Sequence, residues 1–211
     1  MTIATDKTNL IKKLAQEKTF TTSAELTKQG FNSQDILELR TQDHLFEFTP
    51  DIYTLTESNR TFDHTHVLAK YMVPEGVMCF ATALSHWEIT ELLPSNVHFA
   101  VPKGTKINYG ELPVTIHYLS EDEYNQNIIT FEKEGYTLAV YDVVKTVVDC
   151  FAYIWTVGEE HAYKAAYEAI TQELCTPEEI KTAIVKRNLE SDYLPELYSI
   201  LEKPDNLWKY V

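Results

Sequence analysis

The chain has 211 residues, 44% of them hydrophobic, with a formal net charge of −14 and a pI near 4.9. That is enough apolar material for a real core and excludes a disordered chain, while the acidity opposes broad contact with nucleic acid or anionic lipid and favours a basic protein partner, with plain solubility as the other explanation. There is no apolar leader and no stretch near the roughly 18 apolar residues of a membrane span, and Cys79, Cys150 and Cys175 are isolated, odd in number and form no CxxC pair.

These absences predict a cytoplasmic protein with buried, reduced cysteines and no membrane partner. Taken in order, residues 3–18 set Ile3, Leu10, Ile11 and Leu14 among polar residues and predict a first helix. Thr22 followed by Glu25 fits a capping box at a second helix start, and Gly30 is the left-handed residue that stops it. Asn32 and Ser33 are both good N-caps for a third helix, with Ile36, Leu39 and Leu37 as its apolar stripe. The period then changes to two. Leu45, Phe46 and Phe48, a turn at Thr49-Pro50-Asp51, and Ile52, Tyr53 and Leu55 predict two short strands. Helix, tight turn, helix and ribbon is the order of a winged helix-turn-helix, in which the second helix enters the major groove and the ribbon is the wing. The same order also occurs in domains that never touch nucleic acid.

Charge weighs on the DNA reading. Residues 1–50 hold six Lys or Arg against seven Asp or Glu, so the acidity sits almost wholly beyond them. The third helix carries Asp35, Glu38 and Asp43, and only Arg40 as a cation. If DNA is bound, Lys12, Lys13, Lys28 and Arg40 meet phosphates, while Ser33, Gln34 and Thr41 reach bases.

Beyond the wing, Glu57 to Thr61 reads as a turn, and Asp63, His64 and His66 bring three possible metal ligands together without an evident fourth. HxH alone is a weak signal, and polar surface at a domain junction is the default reading, so no metal is assigned. Thr82 to Ile89 predicts a short helix burying Ala83, Leu84 and Trp87, broken at Leu93-Pro94-Ser95. Ser85-His86 does not read as a nucleophile and base, because adjacent residues rarely face each other and no G-x-S-x-G elbow surrounds them. Val97, Phe99 and Val101 alternate as a strand, as do Val114, Ile116 and Tyr118; Ile128 to Phe131 and Thr137 to Tyr141 add two more.

Asp142 then caps a helix through DVVKTVVDCFAYIW, where Lys145 and Asp149 have the i, i+4 spacing of an ion pair. The tail is helical: Glu159 to Leu174, a start at Thr176-Pro177-Glu178-Glu179, and a last helix through Leu194, Leu197, Ile200 and Leu201. Trp208 and Tyr210 are expected to dock the C-terminus. Tyr163, Tyr167, Tyr193 and Tyr198 are either core or a protein-binding surface.

The wording TALSHWEITELLPSNVHFAVPKG over residues 82–104 resembles the second-domain signature of the AbiEi-type antitoxins. Asp142, Lys145-Thr146 and Asp149 are similar to a second landmark of that family, an acidic helix start followed by a Lys/Arg-Thr pair and a closing Asp. Glu25-Leu26, Gly30, Leu39 and Tyr53 fall at matching spacings for its winged helix, so the resemblance runs from about Leu10 to about Leu174. It implies an antitoxin-like transcriptional regulator that binds its own promoter and opposes a nucleotidyltransferase-type toxin encoded alongside, directly or indirectly. It departs from the family at Gln34, Asp35, Glu38 and Thr41, where several Arg or Lys are usual, and at Asp51-Ile52, where a Gly before the wing Tyr is usual.

The resulting expectation is an α+β chain. A winged-helix domain covers residues 1–71, and an acidic α/β domain with C-terminal helices covers residues 72–211. No phosphate loop, dinucleotide fingerprint or paired catalytic carboxylates appear, so neither an enzyme nor a cofactor is predicted. Two alternatives stay open: a stand-alone regulator or adaptor with weak or no DNA binding, and a small enzyme working through His64, His66 or His86.

Overall fold

Local capping fixes where the first helices begin. A computed structural model of the chain describes residues 5–17, 19–55, 66–67, 69–70, 72–107, 113–133 and 136–202. Helix α1 spans Thr5–Glu17, strand β1 Phe20–Thr22, α2 Ser23–Lys28 and α3 Ser33–Thr41. Both capping boxes are complete, Thr22 with Glu25 and Asn32 with Asp35, so Asn32 rather than Ser33 is the cap of α3. Gly30, at φ +90°, ends α2 in a conformation that a Cβ would strain. Strands β2 (Phe46–Thr49) and β3 (Ile52–Thr54) follow, turned at Asp51 with φ +67°.

Strand β1 was not expected from the sequence. Three residues are too few to show a period, and Thr22 doubles as the α2 cap. It completes a three-stranded sheet in the order β1-β3-β2, antiparallel throughout. Ile11, Leu14, Leu26, Phe31, Ile36, Leu39, Leu45, Tyr53 and Leu55 form one core. Leu37 is not part of it: it stands 52% exposed on α3, because Ile36 and Leu39 already fill the inward face.

The second sheet has the order β6-β5-β4-β8-β7, from β4 (Val77–Met78), β5 (Val97–Pro102), β6 (Val114–Leu119), β7 (Ile128–Lys133) and β8 (Tyr136–Tyr141). Strand β4 pairs antiparallel to β5 and parallel to β8, while β5 runs parallel to β6. At Gly76, just before β4, an added Cβ would lie 2.8 Å from the Phe99 ring, so only glycine fits without displacement. Helices α4 (Phe80–His86) and α5 (Glu121–Tyr124) lie within this part of the chain.

Helix α6 (Val143–Ala152) is buried nearly all round, including Lys145, Thr146 and Asp149. Asp142 caps it through the Lys145 N–H at 2.7 Å. The expected single helix through Trp155 does not form: Tyr153, at φ −127° and ψ 48°, breaks the run, and a short α7 (Ile154–Val157) resumes it. Helices α8 (Glu159–Thr171), α9 (Pro177–Arg187) and α10 (Leu194–Glu202) complete the chain, with the Thr176–Glu179 capping box opening α9. Tyr163 is 2% exposed, and Tyr167, Tyr193 and Tyr198, partly buried, pack against the same core. Cys79, Cys150 and Cys175 are free and buried.

The fold is mixed α+β with a helical C-terminal run, and it divides into two compact units. One comprises residues 1–71 with 131–138, the other residues 72–130 with 139–211. Asp63 and His64, to which no metal was assigned, the turn at 57–61, and Trp208 and Tyr210, expected to dock the C-terminus, lie outside the described residues.

Leu39→Ala should cost about 3 kcal/mol of stability in denaturant unfolding, and Leu37→Ala less than about 0.5. Equal losses at both positions would contradict the inward and outward faces of α3.

Candidate functional site

Two surfaces carry the chemistry, one in each unit. In the first unit, all seven residues assigned to DNA from the sequence are exposed: Lys12 and Lys13 on α1, Lys28 at the end of α2, and Ser33, Gln34, Arg40 and Thr41 on α3. Ser33 and Gln34 occupy the first turn of α3, held by the Asn32 cap, whose side-chain oxygen accepts the Asp35 N–H at 2.9 Å. Several of these groups are already engaged. Arg40 forms an ion pair with Glu47 of β2, and the Thr41 hydroxyl donates to the Leu37 carbonyl at 2.8 Å. The Gln34 amide donates to Glu38 at 3.4 Å.

Asp35, on the same helix, is neutralised by Lys7. The Lys7 hydrogen bond, with the Asn32 N–H, holds its carboxyl below the usual carboxylate value. A cleft of about 560 Å³ runs between α3 and β2, lined by Leu37, Arg40, Thr41, Leu45, Phe46 and Glu47. The surface is polar, close to neutral and partly apolar at Leu37.

In the second unit, the predicted Lys145–Asp149 pair exists at 2.9 Å and belongs to a larger cluster that the spacing did not reveal. Asp149, its side chain 2% exposed, also accepts from Arg187 of α9. Arg187 reaches Glu123 at 2.7 Å, and Glu123 accepts from the Tyr153 hydroxyl at 3.0 Å and the Ser120 hydroxyl at 2.8 Å. Lys145 sits 4.3 Å from the centre of the Tyr141 ring, and Arg187 sits 5.4 Å from that of Tyr153.

Burial works against the Glu123 carboxylate, but hydrogen bonds from Ser120 and Tyr153 and the Arg187 charge hold it below its usual range. Arg187 is itself opposed by burial and kept charged by Asp149. A cleft of about 740 Å³ opens beside the cluster, with Val144, Val148 and Ala183 among its apolar lining and Lys145, Arg187 and Glu123 among its charges. Burial raises the Cys79 and Cys150 thiols well above their ordinary value, which leaves them poor nucleophiles at neutral pH. Cys175 is raised to about 11 by the same cause.

Further along the sheet, His117 Nε2 and His98 Nδ1 face each other at 3.1 Å, with the rings stacked. Only one of these nitrogens can donate, so the pair holds one proton between its facing atoms. Burial, then the neighbouring His98, lowers His117 to about 4; burial lowers His98 too. The Phe80 ring lies 4.5 Å from His117, with Phe80 at φ +46° and its side chain 2% exposed. Packing on both sides holds this unfavourable backbone angle. Among the described residues no group of three or more His, Cys, Asp and Glu side chains is arranged to hold a metal.

The Arg187–Asp149 contact joins residues 38 apart in the chain, beyond any local periodicity. The only sequence signal was charge inside an apolar helix, since a buried Asp and Lys on α6 require partners. The His98–His117 pair gave no signal without the parallel β5–β6 register, which sets Ala100 against His117.

No family model matches the sequence, and no curated protein matches it. Among solved structures, the chain is similar to the RV2827C protein from Mycobacterium tuberculosis. The TM-score is 0.61 at 12% identity, covering 87% of this chain and 72% of that one. At that identity the likeness concerns the fold alone.

Asp149→Ala should destabilise the protein by about 3–5 kcal/mol, because it leaves Lys145 and Arg187 buried without their shared counter-charge. Denaturant unfolding measures this, and a loss under about 1 kcal/mol would mean that the cluster is solvated. His117 provides a pH test. Its folded value lies below the unfolded one near 6.5, so the unfolded chain takes up the proton first as pH falls. Stability should therefore drop between about pH 6.5 and 4 and change little below, by about 1–2 kcal/mol once partial exposure is allowed for. His117→Gln should flatten this dependence.

Proposed function

We propose that residues 1–71 form a winged helix and that the chain is an antitoxin-like transcriptional regulator. In this reading the first unit binds the promoter of its own operon, and the acidic second unit opposes a nucleotidyltransferase-type toxin encoded alongside. The observation that carries the DNA half is the element order α1-β1-α2-α3-β2-β3, with Ser33, Gln34 and Thr41 of α3 in water and Ile36 and Leu39 in the core. In a winged helix the polar edge of such a helix faces the major groove and the following hairpin is the wing, so this order and exposure support the reading. The toxin half rests on the resemblance at residues 82–104 and at Asp142, Lys145-Thr146 and Asp149. Action by binding rather than catalysis fits a charge cluster in which Lys145, Asp149, Arg187 and Glu123 each have an opposite charge within the fold.

A second reading, a protein adaptor with weak DNA binding, is favoured by one feature. Arg40 and Lys7 are neutralised by Glu47 and Asp35, while Leu37 is exposed on α3. Few cations are then left for phosphates, and an apolar side chain stands where a base would be met.

A mobility-shift series with the DNA upstream of the operon separates the two. The regulator reading expects a specific shift with a shallow dependence on salt, a loss of about 1–3 kcal/mol of sequence discrimination in Gln34→Ala, and a sequence-independent weakening in Lys12→Ala and Lys28→Ala. No shift on any upstream DNA would leave the adaptor reading. Growth rescue on co-expression with the adjacent toxin gene tests the other half, and failure to rescue would end the antitoxin reading.

A further inference from the structure

Resting on the proposed function, we infer that Trp155 and the acidic residues that follow it form the docking anchor of the second unit for a basic protein partner. In an unbroken helix from Val143, Trp155 would fall one turn beyond Phe151 and share its face, and Phe151 is only 1% exposed. The break at Tyr153 changes the phase. Ile154 and Val157 turn inward at 5% and 9% exposure, and Trp155 turns outward at 91%. The fold therefore interrupts an apolar helix and sets its largest side chain in water, against the hydrophobic gain of burying it.

The break is held from several sides. The Tyr153 hydroxyl donates to Glu123 at 3.0 Å, the Arg187 guanidinium lies 5.4 Å from its ring, and the Phe80 ring meets it edge-on at 5.6 Å. The buried charge cluster thus positions Trp155 as well as joining helices. Tryptophan is among the side chains enriched at the energetic centres of protein interfaces.

Charge selects the occupant. Glu159 and Glu160, both exposed, open α8 within five residues of Trp155 and carry no ion pair with a described residue. Lys164, which helical spacing would set against Glu160, is paired with Glu91 at 3.2 Å instead. A second copy of this chain would bring the same uncompensated carboxylates, on a molecule of net charge −14, against themselves. A partner with a basic surface and a slot for an indole gains from both features.

The test uses the full chain and the purified product of the adjacent nucleotidyltransferase-type gene. Binding should weaken at least about 10-fold in Trp155→Ala and comparably in Glu159→Lys combined with Glu160→Lys, as expected for a hot-spot anchor and its charged rim. Trp155→Phe should recover most of it. Thermal unfolding and the DNA shift should stay as in the wild type in the Trp155 variants, whose altered side chain stands in water; the double Lys variant, which opposes the dipole at the start of α8, is compared only after its fold is checked. Wild-type binding with Trp155→Ala binding equally well would overturn the docking surface and leave the antitoxin reading standing. So would rescue by the wild type without measurable binding. A wild-type chain that neither binds nor rescues overturns both. Concentration-dependent self-association lost in Trp155→Ala would overturn the proposal in favour of a second copy.

Discussion

A carboxylate in the middle of a buried helix has to be matched, and much of the second unit is arranged to match Asp149. Taking such a group out of water costs several kcal/mol unless opposite charge and hydrogen bonds return it. Lys145, one turn earlier on α6, supplies part of that, and Arg187 of α9 supplies the rest. Arg187 brings a surplus positive charge, which Glu123 balances closer to solvent. The chain of contacts ties α6, α9 and α5 into one body and ends on Tyr153, the residue at which the long apolar helix breaks. Position, rather than extra stability, is what such a cluster provides: an apolar replacement of similar volume would hold the helices as well but would not fix the helix break.

The first unit solves a different problem. Its core is small, and its helices depend on local caps as much as on burial. The two capping boxes and the positive-φ glycine at position 30 determine where α2 ends and α3 begins. That spacing turns Ser33, Gln34 and Thr41 outward while Ile36 and Leu39 point in. The internal pairs Lys7–Asp35 and Arg40–Glu47 leave this face nearly neutral. Under the proposed regulator function, specificity would then come from fit and hydrogen bonding more than from counterion release. The two units also divide the charge, since the carboxylates without partners named above lie in the second.

Features that depend on residues within a turn or two of each other could be read directly from the chain. The caps at Thr22, Asn32, Asp142 and Thr176, the strands β2, β3, β5, β6, β7 and β8, and the Lys145–Asp149 pair all follow from spacing of four residues or fewer or from a period of two. What spacing could not give was phase. Leu37 fits the apolar stripe of α3 as well as Ile36 does, and only the packing of α1 and the sheet selects between them. Trp155 fits the stripe of α6 and is turned out by a break that no local breaker residue announces. The tyrosine stripe at Tyr163 and Tyr167 was ambiguous for the same reason: an aromatic face reads alike whether a neighbouring helix or a partner covers it.

The sequence by itself determined most of the longer elements, their order and the capped helix starts, because those rest on backbone hydrogen bonds satisfied within a few residues; the short strands β1 and β4, helix α5 and the break at Tyr153 escaped it. It also determined that a charged pair lies on an otherwise apolar helix. The tertiary structure alone decided that Arg187 completes that pair across 38 residues, that His98 and His117 share a proton across two parallel strands, and that Trp155 stands in water. Each of these depends on which surfaces of distant segments meet. That is settled by how side-chain volumes and buried charges can be satisfied together, a constraint with no period along the chain.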